Sequence, residues 1–307
     1  MNKQKRKLNY KILIIVILLL LVALFVALTV RHFTTNAPVQ DVYEEIQNVV
    51  EETTVSVEEG PDYSPVVALN PDTVGWITIP NTTVNYPVVQ YSNNDYYISH
   101  NFEKERDRFG SIFMDYRNNP IDFDANTIIY GHNCYNGTMF SELAKYLELD
   151  FYKQNPVFEF NTLEKAYKWK IYGVFITSAK PEEDNGYVFN YIYPYMDGEN
   201  FTGFINEVNL RRLYVTDVDI TDDDKMLILS TCIRKLDTYK SGIRTYKADG
   251  RFVIVARAVR ENESETVDVS KAYKNVNIKY PQIYYDNKGI ENPYKYEERW
   301  FPIQNQN

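Results

Sequence analysis

Residues 225–236, KMLILSTCIRKL, place a thiol at the end of an apolar run. Met226–Leu229 read as a buried strand, and Ser230, Thr231 and Cys232 close it. A cysteine at neutral pH is mostly protonated. A neighbouring imidazole or guanidinium stabilises the thiolate and makes it a nucleophile. Attack on an amide further needs an acid for the departing amine and a donor for the oxyanion. Three histidines are present. His132 ends the apolar stretch NTIIYGH and opens the loop NCYNG, a place where a rigid scaffold presents a catalytic group. His32 reads as the flank of a long apolar segment and His100, in NDYYISHNF, as a loop residue. His132 is therefore the candidate acid.

Arg234, Arg244, Arg251 and Arg257 follow the cysteine. Arg251 opens the stretch RFVIVARAV. If that stretch pairs antiparallel with KMLILSTC, Arg251 lies beside Cys232 despite the loop between them. Arg257 would then sit roughly 20 Å further along the strand, out of reach. Arg234 and Arg244 fall in the loop, where geometry leaves them open. Cys134, two residues after the histidine, is the second of two cysteines. In an exported chain such a pair suggests a disulfide, and a surface protein stapled by Cys134–Cys232 without catalysis is the rival reading. The expected site contains no metal and no cofactor.

The elements that must hold these groups are mostly strands. VGWITIP, VNYPVVQY, GSIFMDY, NTIIYGH, PVFEFNT, KAYKWKIYGVFIT, KMLILSTC and RFVIVARAVR are eight apolar or alternating runs bounded by Asn, Asp, Gly or Pro. No regular strand–helix–strand spacing separates them. MFSELAKYLELDFY carries Phe140, Leu143, Ala144 and Leu147 at helical spacing. NFTGFINEVNLRRLY does so with Phe201, Phe204, Ile205 and Val208, with Asn200 placed as an N-cap. Many short strands with a few helices predict a closed barrel of mainly β class.

The N-terminus sets the compartment. Five basic residues within 1–11 precede Ile12–Val30, which carries no charge. At about 1.5 Å per residue that run nearly spans a hydrocarbon core of ~30 Å. Its length predicts an uncleaved signal anchor, N-terminus cytoplasmic, with the rest of the chain outside. Residues 31–61 read as an acidic stalk: seven acidic residues and no Lys or Arg lie between His32 and Pro61, with helical spacing at Val42, Ile46, Val49 and Val50. A net charge of −9 without a basic stripe argues against a nucleic-acid partner. Residues 62–260 are the expected catalytic barrel. Residues 261–307 form a C-terminal extension rich in Tyr, Asn and Lys, without periodicity.

LILSTC followed by RFVIVARAV, with NTIIYGHN about a hundred residues earlier, resembles the sortases, the membrane-anchored cysteine transpeptidases of Gram-positive bacteria. NDYYISHNF, GSIFMDYRN, GHNCYNGTMFSEL and the helix before the cysteine strand resemble class B. The resemblance covers residues 41–260. It implies an eight-stranded sortase barrel with His132, Cys232 and Arg251 as the catalytic set, and Ser230 or Thr231 as a hydrogen-bond donor to substrate. The implied partner is a secreted protein with a C-terminal sorting signal, Asn-Pro-x-Thr rather than Leu-Pro-x-Thr. The implied acceptor is an amine of a cell-wall precursor, or a pilin lysine. A papain-type protease is disfavoured because it places cysteine before histidine. The loop 233–250 is long for class B, which keeps Arg244 in contention with Arg251, and Cys134 lies outside the pattern.

Overall fold

Each of the eight runs becomes a barrel strand. The computed structural model describes residues 18, 22–26, 42–51 and 62–303. The chain divides into two units, Met1–Glu52 and Thr53–Asn307. In the first, residues 22–26 and 42–51 are helical, the latter where the Val/Ile spacing predicts a helix. Most of the Ile12–Val30 run lies outside the described residues. Among those described, no helix is long and apolar enough to cross a membrane.

In the second unit the strands are β1 (Thr73–Thr78), β2 (Asn85–Val89), β3 (Phe113–Met114), β4 (Asn126–Tyr130), β5 (Val157–Thr162), β6 (Lys168–Ser178), β7 (Tyr214–Val215), β8 (Met226–Cys232), β9 (Thr238–Lys240), β10 (Ile243–Tyr246), β11 (Gly250–Ala258) and β12 (Tyr273–Lys274). Eight of them close a barrel in the order β1-β2-β3-β4-β8-β11-β6-β5. Two pairings, β2 with β3 and β4 with β8, are parallel, and the other six are antiparallel. In β8 every residue from Met226 to Thr231 is buried and only Cys232 is exposed. A barrel strand that is also covered on its outer side has no solvent face, so its sequence runs continuously apolar instead of alternating. Met226 and Ile228 of β8 join Val253 and Val255 of β11 in a cluster with Phe189, Tyr191, Phe204 and Val208. Full burial of each aliphatic or aromatic side chain there contributes about 1.5–3 kcal/mol.

The covering layer is helical. Helix α1 (Ser64–Leu69) precedes β1. The MFSELAKYLELDFY segment breaks into a 3-10 helix, Ser141–Leu147, and α2 (Leu149–Gln154). Helix α3 spans Gly198–Arg211 with Asp197 at the N-cap position, so Asn200 lies inside the first turn and is not the cap. Asn200 is instead a buried bridge, donating from Nδ2 to the Ile303 carbonyl and accepting from the Ile303 N–H. The amide side chain is consumed by the chain's far end, so it cannot cap.

That far end is built into the second unit. β12 pairs with β7. Helix α4 (Gln282–Lys288) hydrogen-bonds the loop after β8, with Asn287 Nδ2 on the Leu236 carbonyl at 2.9 Å. Trp300 packs against Phe189 and Phe204, with ring centroids 5.9 and 6.2 Å away. It lies so close to Gly203 that a Cβ there would meet the indole at 2.0 Å. Glu263 accepts from Arg257, which is 1 % exposed, and from Lys170.

Candidate active site

Cys232 ends β8 and Arg251 is the second residue of β11. The two are direct antiparallel partners. Arg251 Nη1 lies 3.3 Å from Cys232 Sγ. Arg257 pairs with Met226 at the other end of the same ladder, as the strand rise requires. Arg244 sits in the β9–β10 hairpin and pairs with Asp237 at 3.2 Å. The geometry therefore brings Arg251 to the sulfur and keeps Arg244 on another partner. Burial works to lower the Arg251 guanidinium, but the Cys232 sulfur, Tyr191 and Asp249 outweigh it and hold the group above its ordinary value.

His132 reaches the same place by a parallel route. β4 and β8 run side by side, Tyr130 opposite Ser230, and the Gly131 N–H donates to the Ser230 carbonyl at 3.2 Å. Both strands thus deliver their chemistry to the same barrel end. Gly131 has no alternative, because a Cβ would stand 2.7 Å from the Phe140 ring. The His132 Nε2 lies 2.8 Å from the Ile98 carbonyl. A carbonyl only accepts, so Nε2 carries a proton there and Nδ1 is the nitrogen left for proton exchange. Asn133 Nδ2 donates to the Cys232 carbonyl at 2.8 Å and ties the histidine loop to the cysteine strand.

A cleft of about 210 Å³ joins these groups, lined by His132, Cys232, Arg251, Ser230 and Thr231, by Phe113 of β3 and Tyr130 of β4, and by Asn94 and Ile98 from a segment the sequence left unassigned. Ser230 Oγ is hydrogen-bonded to Tyr191 Oη at 2.9 Å. The buried Thr231 hydroxyl has no partner among the described residues. Beneath Asn94 and Tyr130 lies Asp115, fully buried, which accepts from both and from Arg117 through two nitrogens. Burial alone would raise its carboxyl, but the Arg117 side chain and N–H and the Tyr130 hydroxyl hold it below the ordinary range. This buried carboxylate fixes one wall of the cleft. The one signal for it in the sequence was the MDYRN turn, whose Asp and Arg stand two apart.

His100 is not in the cleft. It stacks on Tyr96 at 4.1 Å, the loop role its context predicts. Cys134 and Cys232 are both free thiols. Cys134 is buried in the loop after His132, and burial pushes its thiol up to about 11. Among the described residues no cluster of His, Cys, Asp and Glu could hold a metal ion.

An eight-stranded barrel that delivers a thiol, a guanidinium and an imidazole to one rim is the architecture of a cysteine-dependent acyl-transfer enzyme. The Sortase domain model matches residues 77–259. Sortase B of Listeria monocytogenes is 37 % identical over 192 residues, 62 % of this chain and 71 % of that protein. Sortase B of Staphylococcus aureus is 32 % identical over 201 residues, 65 % of this chain and 75 % of that protein. A Staphylococcus aureus sortase B–substrate complex superposes with a TM-score of 0.63 at 29 % identity, covering 74 % of this chain and 99 % of that one. Sortase B from B. anthracis in complex with AAEK1 gives 0.61 at 31 % identity, with the same two coverages. The chain belongs to the sortase family of cysteine transpeptidases, and it is class B-like.

Proposed function

We propose that the protein is a membrane-anchored transpeptidase that cuts a C-terminal sorting signal of a secreted protein and joins the acyl fragment to an amine of a cell-wall precursor. The observation that carries this reading is the Arg251 Nη1 to Cys232 Sγ approach of 3.3 Å at the one exposed residue of β8, in a cleft shared with His132. The Cys232 thiolate attacks a backbone carbonyl carbon of the signal, forming a C–S bond. The guanidinium of Arg251 stabilises the oxyanion or holds the peptide carbonyls. His132 gives a proton to the departing amine nitrogen as the C–N bond breaks. The resulting thioester is attacked by the acceptor amine. That amine's proton returns to His132, and the thiolate leaves. Thr231, whose hydroxyl has no partner among the described residues, suits a hydrogen bond to the bound peptide better than Ser230, whose hydroxyl is engaged by Tyr191.

The substrate motif is Asn-Pro-x-Thr, following the class B likeness. Anchoring rests on the uncharged run Ile12–Val30 behind five basic residues. The deciding experiment incubates the chain with an Asn-Pro-x-Thr or Leu-Pro-x-Thr peptide, with and without an amine acceptor. Transfer dependent on Cys232 and faster on the first peptide supports the reading. Hydrolysis without transfer at any acceptor concentration overturns it in favour of a protease. Transfer only to a pilin-type lysine peptide moves the acceptor from wall precursor to pilin.

A further inference from the structure

Arg251 does not meet the sulfur unaided. The same Nη1 that approaches Cys232 Sγ lies 2.5 Å from Asp249 Oδ1 and 3.4 Å from the Gly250 carbonyl. Nε and Nη2 make no hydrogen bond to any described residue. A long arginine side chain has many rotamers, and one bond to a fixed acceptor removes most of them. With Nη1 held by Asp249, the other two nitrogens stay available as a fork.

The Asp249 carboxylate has no other hydrogen-bond partner among the described residues. Its backbone, by contrast, is fixed from elsewhere. The Asp249 N–H donates to both oxygens of Glu183 at 3.0 and 3.1 Å, and its carbonyl accepts from the Ala179 N–H at 3.0 Å. Glu183 is 3 % exposed and also accepts from Tyr246 Oη at 2.8 Å and Ser178 Oγ at 2.5 Å. The main chain at 249 is thus anchored without the aspartate side chain, whose one hydrogen-bond partner among the described residues is the guanidinium.

We propose that Asp249 is a positioning residue whose carboxylate sets the Arg251 guanidinium against the Cys232 sulfur. The assignment rests on the reading of Cys232 and Arg251 as a working pair. Two effects of the carboxylate have opposite sign. As an acceptor it holds the positive group near sulfur, which favours thiolate. As a negative charge it offsets that group, which disfavours thiolate. Nη1 meets the sulfur and the carboxylate at once, so removing the carboxylate gives up the approach together with the counter-charge.

The test is alkylation of Cys232 by iodoacetamide at neutral pH, alongside transpeptidation. Asp249→Ala loses the acceptor, and alkylation slows by roughly three- to tenfold as thiolate stabilisation is lost. Asp249→Asn keeps an acceptor oxygen at the same reach, so alkylation does not slow. In transpeptidation, Asp249→Ala lowers kcat by about tenfold or more with little change in KM, whereas Asp249→Asn stays within about threefold of wild type. If both variants speed alkylation, Asp249 is only a counter-charge and the proposal falls. It falls equally if Asp249→Ala matches wild type in both assays. Asp249→Ser, too short to reach Nη1, replaces the alanine variant should that one not fold. Alkylation needs no sorting peptide, so a failure of the transpeptidase reading and a failure of this one are separable.

Discussion

Asn133 and Cys232 are ninety-nine positions apart, yet the Asn133 amide donates to the Cys232 carbonyl at 2.8 Å. The bond ties the residue after the candidate acid to the main chain of the candidate nucleophile. Asn133→Ala removes it while leaving both reactive groups in place. One neutral hydrogen bond contributes ~1 kcal/mol net to stability, so Tm is expected to fall by roughly 2–4 °C, and kcat/KM to fall roughly five- to tenfold as the histidine loop shifts from the cysteine strand. Kinetics equal to wild type would show that the bond has no bearing on the reaction.

Arg251 and Arg244 separate cleanly by substitution. An ammonium cannot present the planar fork of a guanidinium, so Arg251→Lys is expected to lose about a hundredfold in kcat. Arg244→Ala should keep activity near wild type. It also costs at most ~1 kcal/mol in stability, since Arg244 is 41 % exposed and Asp237 retains the Ala248 N–H. A dead Arg244→Ala with an active Arg251→Ala would mean that the 233–250 loop acts at the cleft.

Cys134 is expected to be silent. Its buried thiol, pushed up to about 11, is almost entirely protonated at pH 8. Native protein should take up one equivalent of iodoacetamide, at Cys232, and unfolded protein two. Cys134→Ser should transfer at the wild-type rate. A peroxide-induced Cys134–Cys232 disulfide, reversed by reductant, would instead assign Cys134 a protective redox role.

Glu263 gives the fold an acid limit. Hydrogen bonds from Arg257, opposed by burial and reinforced by Lys170 and the Arg260 N–H, hold its carboxyl far below the ordinary carboxylate range. A depressed folded-state value means that the stabilisation is complete above about pH 4.5, the unfolded value, and drains as the pH falls toward the folded one. Tm should therefore drop on acidification below that point, and Glu263→Gln should flatten the slope. Parallel Tm-against-pH curves for the two proteins would refute the linkage.

The C-terminal segment should be indispensable to stability. Trp300→Ala empties the space over Phe189, Phe204 and Gly203 and is expected to cost roughly 2–4 kcal/mol, read as a lower urea midpoint. A chain ended at Arg260 loses Trp300, Glu263 and the Asn287 bonds together and should melt earlier still. An unchanged midpoint on truncation would make the segment a passenger.

Strand content was legible because barrel strands write themselves in the chain: all eight runs correspond to β1–β6, β8 and β11. Placing Arg251 beside Cys232 needed only the antiparallel pairing and the strand rise. The wall made by Asn94 and Ile98 was not legible, since these residues sit in a loop and are placed by residues far along the chain, Asp115 and Tyr116 for Asn94 and His132 for Ile98. Asn200 misled for a related reason. Its amide looks like a local cap, but its partner is Ile303, over a hundred positions away. The Tyr- and Asn-rich tail lacks periodicity because its described part docks piecemeal, through a two-residue strand, one short helix and single side chains such as Trp300.

The parallel seam between β4 and β8 has a kinetic meaning. Every register pair along it joins residues one hundred positions apart, from Asn126 with Met226 to Tyr130 with Ser230. Closing so long a loop carries its entropy cost before any strand contact repays it, and contacts of high sequence separation form slowly. β8 and β11, by contrast, are near neighbours in the chain and can pair early. Arg251 can therefore meet Cys232 while His132 is still far away. A refolding chain should pass through a stage in which the thiol already alkylates readily but no peptide is turned over. The lag between the two signals would time the closing of the barrel.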